Sequence, residues 1–214
     1  MFGLTPIALL KILVPAAVIA YFCGCFNGAV IVSKYILRDD IRKHGSGNAG
    51  LTNFLRTFGG GLTFVVILCD VVKAIAAIEI GRLLAGSLAL EPLFTYVPAL
   101  FCLLGHMFPC MFGFKGGKGI LSGGTIAIMI DWRLALVVWG GFIVLTALTR
   151  WVSLGSIWAG ATFPIATWLF VSRDPVVVIL SILIGGMILW MHRGNIKRLL
   201  KGEENKLSFH KKKE

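Results

Sequence analysis

Charge is what this sequence has least of. Only 14% of its 214 residues are Asp, Glu, Lys or Arg, where a soluble domain carries about 25%. Acidic residues are the scarcer half, ten against 21 Lys and Arg, for a formal net charge of +11. A small domain has much surface for its volume, and so few charges cannot cover it with polar groups. That excludes an ordinary soluble fold. The strict apolar–polar alternation of transmembrane barrel strands is also missing. So is metal-ligand cysteine spacing. Cys23, Cys25, Cys69, Cys102 and Cys110 lie in or beside apolar stretches, without a second pair at ligand distance. They read as small packing residues, and neither a disulfide framework nor a metal site is expected. No GxxxxGK[ST] phosphate loop occurs, and inverted halves of the transporter kind are not apparent. No small-residue cleavage site follows the apolar N-terminal stretch, which holds Lys11. It reads as a first transmembrane helix rather than a signal peptide.

Apolar residues fill the space that charge leaves. They make up 57% of the chain, and the mean hydropathy is +0.86. Helices are then the way to satisfy the backbone in hydrocarbon. A crossing needs about 20 mostly apolar residues. Apolar runs cover Leu4–Val32, Leu62–Leu84, Leu93–Phe112, Gly119–Ile130, Leu134–Thr149, Ser153–Val171 and Val176–Met191. The expected fold is an all-α integral membrane protein of about seven transmembrane helices, one or two of them short or re-entrant. Residues 1–214 form a single polytopic domain in this reading, and Gly119–Ile130 is the run too short for a plain crossing.

Basic residues orient the chain. If the first span runs inward, segments 33–61, 113–118, 150–153 and 192–214 are cytoplasmic. Sixteen of the 21 Lys and Arg then lie inside, as the positive-inside rule requires. The basic excess is therefore assigned to topology and to anionic lipid or substrate, with no nucleic-acid partner expected.

Three constellations fall on that inner side. The first is His44-Gly45-Ser46-Gly47-Asn48-Ala49-Gly50-Leu51-Thr52-Asn53, followed by Arg56. Glycines let backbone amides approach an anion, Ser, Asn and Thr add neutral donors, and Arg offers a planar fork for phosphate. The plainer alternative is a turn with helix caps. The second is Gly105-His106-Met107-Phe108-Pro109, then Lys115-Gly116-Gly117-Lys118-Gly119. It suggests a glycine loop entering a helix, whose N-terminus favours anions. A positive-inside loop explains either lysine alone but not the glycines around them. The third is His192-Arg193-Gly194-Asn195-Ile196-Lys197-Arg198, which sets His192 and Asn195 on one helix face. A basic membrane-surface helix is the alternative, and Lys197, Arg198 and Lys211–Lys213 fit it better. The turn Arg150-Trp151-Val152-Ser153-Leu154-Gly155-Ser156 is equally well read as a helix start capped by Ser153. Asp70 and Lys73, at i and i+3 within a span, are expected to pair.

These strings resemble the bacterial acyl-phosphate:glycerol-3-phosphate acyltransferase family, the PlsY type. The resemblance covers nearly the whole chain. It rests on Asp40-Ile41-Arg42, the Gly45–Asn53 loop, Asp70 with Lys73, Gly105–Pro109, Lys115–Gly119, Ser153–Ser156 and His192–Leu200. Departures are Gly24-Cys25-Phe26-Asn27 for a usual Gly-Ser-Ile-Pro, Leu51 for Ala and Gly194 for Glu. The resemblance implies a seven-helix inner-membrane enzyme with its site facing the cytoplasm. It implies acyl transfer from acyl phosphate to glycerol 3-phosphate, giving lysophosphatidate and phosphate. It implies no cofactor, metal, acyl-CoA or acyl-carrier protein, and no obligate protein partner is evident. Ser46, Arg56, Lys118, His192 and Asn195 become the catalytic candidates. Gly45, Gly47, Asn48, Thr52, Asn53, His106, Lys115, Gly116, Gly117 and Gly119 become the substrate-binding ones. The HxxxxD signature of other glycerolipid acyltransferases is missing, since no Asp follows His106 or His192 at that spacing. The rival readings are an anion or phosphate transporter or channel, which would use the same basic loops, and a structural membrane subunit binding lipid headgroups.

Overall fold

Among the described residues every regular element is helical. The computed structural model describes residues 5–86 and 91–207, apart from the Glu91 side chain. The Leu4 end of the first run and the terminal Lys211, Lys212 and Lys213 lie outside them. The chain divides into two compact units, Met1–Met129 and Ile130–Glu214.

The first unit opens with α1, Pro6–Cys25. Thr5 caps it, accepting the Ala8 N–H at 3.3 Å, and Pro6 needs no N–H partner in the first turn. The helix breaks at Phe26–Asn27 and resumes as α2, Gly28–Ile31, which loosens into one π turn, Val32–Ile36. Next come the short α3, Leu51–Thr57, and α4, Leu62–Ala85. α5 spans Glu91–Met107 and α6 Ile120–Ile130. α1, α4 and α5 pack against one another. Gly24 on α1 and Gly105 on α5 let two backbones touch, since a Cβ on either would lie 3.0 Å from the other's Cα. Small residues at such a crossing suit helices packed in lipid, where close van der Waals contact replaces the hydrophobic effect.

The second unit holds α7, Trp132–Thr149, α8, Val152–Phe170, and α9, Pro175–Met191. It ends with α10, Arg193–Leu200. Asp131 caps α7 by accepting the Arg133 N–H at 2.7 Å, and Asp174 caps α9. α8 packs on both α7 and α9. Gly160 and Gly185 form its close contact with α9.

Large apolar side chains point outward at one-turn spacing. Leu10, Val14 and Val18 line α1, while Phe64, Leu68 and Val72 line α4, all at least half exposed or nearly so. In water such stripes would be a liability; they are what lipid-facing helices require. This is a multi-pass membrane protein.

All seven predicted runs are helical, but they do not qualify equally as crossings. Pro6–Ile36, Pro92–Phe112, Trp132–Thr149 and Val152–Phe170 are long and apolar enough, and α9 with α10 makes a fifth if their 57° bend is counted as one span. α4 has 24 residues but carries Asp70, Lys73, Glu79 and Arg82. α6 has 11 residues, about 16 Å of helix at 1.5 Å per residue, roughly half the hydrocarbon thickness. Among the described residues, length and composition by themselves qualify four helices as crossings, or five with the bent pair.

Candidate active site

The first glycine loop is built around Asn53, at the start of α3. Its Nδ2 donates to the carbonyls of Ile41 (3.4 Å), His44 (3.0 Å) and Asn48 (3.1 Å). Its Oδ1 accepts the Ser46 N–H at 3.1 Å. Gly45 and Gly47 have φ of +55° and +69°, which only glycine adopts freely, and a Cβ on Gly45 would overlap Asn53 Oδ1. The loop therefore curls around a buried amide, and Ser46 and Arg56 stay exposed. The Arg56 side chain makes no hydrogen bond or ion pair among the described residues.

The second glycine loop doubles back along the end of α5. Gly116 N donates to Met107 O and Gly117 N to His106 O, both at 3.1 Å. These bonds satisfy carbonyls that a helix C-terminus leaves unpaired. Gly117 is buried so closely that a Cβ would overlap His106 Nε2. Lys115 is exposed, and Lys118 is half-buried between the buried Gly117 and Gly119.

Arg42 fastens the two loops together. Its guanidinium forks onto Asp40, with Nη2 at 2.7 Å from Oδ2. Its Nη1 donates to Phe112 O at 2.6 Å and Lys115 O at 3.4 Å. The Arg42 fork holds the Asp40 carboxyl below its ordinary range. Ala49 N adds a bond to Gly116 O at 3.3 Å. Asn27, in the break after α1, donates from Nδ2 to Ala49 O at 3.1 Å and caps α2 through Oδ1. Ser46, Arg56, Lys115 and Lys118 thus all ride on one jointed platform at the end of the first unit.

Several sequence expectations change here. Asn53 reads in sequence as a substrate ligand, yet all its amide atoms serve the loop. The Gly116 and Gly117 amides read as a phosphate cradle, yet both bond to α5. His106 reads as substrate-binding, yet it is 2% exposed and its Nδ1 lies 2.6 Å from Lys73 Nζ. Asp70 and Lys73 do pair, at 2.6 Å. Asn48 and Thr52 are half-buried on the loop.

In the second unit His192 sits at the bend between α9 and α10 and is 3% exposed. Its Nδ1 is 2.8 Å from Ile188 O. A carbonyl only accepts, so Nδ1 donates and the basic lone pair belongs to Nε2. Asn195, on the first turn of α10, donates from Nδ2 to Glu204 Oε1 at 2.9 Å. Glu204 also accepts from Arg198 Nε at 2.9 Å. Arg150 is engaged by segment 201–207, its Nη2 donating to Leu207 O at 2.9 Å. Ser153 does not cap α8. Trp151 occupies the cap position, and Ser153 Oγ is buried without a hydrogen-bond partner among the described residues.

Sequence reasoning missed Arg42 and Asn27 as parts of the platform, and Glu204 as the partner of Asn195 in the second unit. Asn27 had a signal, an Asn where the resembled family carries Pro. For Glu204 the signal was weak, an acidic pair, Glu203 and Glu204, in a basic tail.

The chain is similar to known proteins along most of its length. The family profile described as glycerol-3-phosphate acyltransferase matches residues 14–202. The glycerol-3-phosphate acyltransferase of Thermoanaerobacter pseudethanolicus is 37% identical over 191 residues, covering 89% of this chain and 93% of the relative. That of Shewanella halifaxensis is 38% identical over 192 residues, covering 90% and 93%. The crystal structure of PlsY, an integral membrane glycerol 3-phosphate acyltransferase, in its glycerol 3-phosphate form is 31% identical. It superposes with a TM-score of 0.80 over 92% of this chain and 96% of that one. Its lysophosphatidic acid form gives 0.76. With a profile match across most of the chain and relatives aligned nearly end to end, the chain belongs to the glycerol-3-phosphate acyltransferase family, as an integral membrane acyltransferase.

Proposed function

We propose that the chain transfers a fatty acyl group from acyl phosphate to glycerol 3-phosphate, giving 1-acyl-glycerol 3-phosphate and phosphate. We place it in the bacterial cytoplasmic membrane with its site facing the cytoplasm. The observation that carries the reading is the platform on which Arg42 and Asn53 display Ser46, Arg56, Lys115 and Lys118. It offers hydroxyl and cationic groups suited to phosphate beside an apolar helix bundle suited to an acyl chain.

An acyl phosphate is a mixed anhydride with a good leaving group, so positioning and charge stabilisation supply most of what catalysis needs. Lys118, with Lys115, neutralises the departing phosphate. Arg56 and Ser46 hold the phosphate of the acceptor. His192 Nε2 takes the proton of the attacking hydroxyl, and Nδ1 stays fixed on Ile188 O. Asn195 orients the acceptor beside it. The acceptor's C–O bond forms as the carbonyl's bond to the phosphate oxygen breaks. No acyl-enzyme intervenes, and a trapped acyl-Ser46 species would overturn the direct route. The buried Asp70 and Lys73, which a transporter would need free along a path, are bonded to each other and to His106.

The test is phosphate release by purified protein in detergent. Release from palmitoyl phosphate that depends on glycerol 3-phosphate supports the proposal. Release independent of the acceptor, or none, contradicts it.

A further inference from the structure

Below the platform, three ionisable side chains are shut inside the first unit. Asp70 is 2% exposed, Lys73 5% and His106 2%. Nothing in the proposed chemistry uses Asp70 or Lys73. Charges at membrane depth are costly to keep, so their purpose is a fair question.

Lys73 Nζ has three partners. It donates to Asp70 Oδ1 at 2.6 Å and to Phe26 O at 3.1 Å, and it lies 2.6 Å from His106 Nδ1. An ammonium has three protons and no acceptor, so this geometry uses all three. His106 Nδ1 must then accept, and the ring proton sits on Nε2, the atom against Gly117.

Both remaining partners lead to the platform. His106 holds Gly117 twice, its carbonyl accepting the Gly117 N–H at 3.1 Å and its ring filling the space a Gly117 side chain would need. Lys118 is the next residue. Phe26 O belongs to the break after α1, where a helix C-terminus leaves carbonyls unpaired and attracts a cation. Beside it Asn27 grips Ala49 O, and Ala49 N reaches Gly116 O. Ser122 on α6 closes the frame, its Oγ donating to Asp70 O at 3.1 Å. Two routes therefore run from one ammonium to the same glycine loop.

We infer that Lys73, balanced by Asp70, is a positioning residue for acyl transfer. It clamps His106 and the broken end of α1 beneath the loop, and so sets where Lys118 stands. The inference rests on the proposed role of Lys118 at the departing phosphate.

The test removes the pair together, because a single change would strand a buried charge. Asp70→Asn with Lys73→Met is neutral and close in size. It should stay monodisperse with a melting temperature close to wild type, while kcat/KM for acyl phosphate falls roughly 10- to 100-fold, as for displaced catalytic groups. Lys118→Ala is then measured in wild type and in the paired variant. If Lys73 acts through Lys118, the lysine's loss costs much less in the paired background, a coupling that an independent structural role would not produce. Wild-type turnover by the paired variant, or a full Lys118 effect within it, overturns the inference. No Lys118 effect in wild type overturns the underlying reading instead. Should the Met pair fail to fold, Asp70→Asn with Lys73→Gln retains two donors and goes through the same cycle. Coupling with Lys118 is again expected, and additivity again overturns the inference.

Discussion

Arg42 Nη1 donates to the Phe112 carbonyl at 2.6 Å, across 70 residues of sequence. The contact turns two glycine loops into one platform. Arg42→Lys keeps the charge but cannot fork between Asp40 and the second loop. It should lower stability by about 1.5–3 kcal/mol, the usual worth of hydrogen bonds to a charged group. It should also raise KM for acyl phosphate. Thermal unfolding and steady-state kinetics check both. An unchanged KM would show that the staple does not shape the site.

The same ion pair sets an acid limit. The Arg42 fork depresses the Asp40 carboxyl in the folded protein. A depressed carboxylate gives stability that is full above its unfolded value, about 3.9, and lost as pH falls through the folded value. The melting difference between wild type and Asp40→Asn should therefore hold constant from about pH 8 to about pH 5 and shrink only below about pH 4. A difference already vanishing near pH 6 would contradict the assignment.

Asn53 makes the first loop testable without touching a substrate ligand. Asn53→Asp keeps the acceptor for Ser46 N–H but strips the donors to Ile41, His44 and Asn48. Leaving carbonyls unpaired costs about 1–3 kcal/mol each where they are buried. Activity should fall well beyond what the lost folded fraction explains. Gly45→Ala should do likewise, since its φ and the nearby amide both resist a side chain. Wild-type kcat/KM in either folded variant would remove the loop from the mechanism.

His192→Asn retains a donor for Ile188 O and removes the basic nitrogen. A general base of this kind contributes typically 10²–10⁴-fold. The variant should lose that much in kcat, with KM for both substrates little changed. If kcat survives, the acceptor's own phosphate takes the proton, and His192 only positions.

Hydropathy and charge revealed the helical membrane fold because apolar runs in lipid have few other solutions. The break at Phe26–Asn27 was not visible in them. Both sides of it are apolar, and the α4 cation that bonds its Phe26 carbonyl is 47 residues away in sequence. Glycine loops were legible as special backbone, but the partner of each amide was not. Gly116 and Gly117 bond to α5 because α5 ends one loop earlier with open carbonyls, a tertiary fact. Asn53 and His106 show the same limit from the other side. Residue type announces hydrogen bonding, and only the packed fold says whether the partner is substrate or protein. Asp70 and Lys73 were legible as a pair from spacing alone, but not their third member, His106, 33 residues on.

The most direct test follows labelled glycerol 3-phosphate through purified protein given either palmitoyl phosphate or palmitoyl-CoA at equal concentration, with the product lipid quantified. The account predicts labelled 1-acyl-glycerol 3-phosphate from the acyl phosphate and none above background from the thioester. Equal product from both donors, or product from the thioester alone, would contradict it.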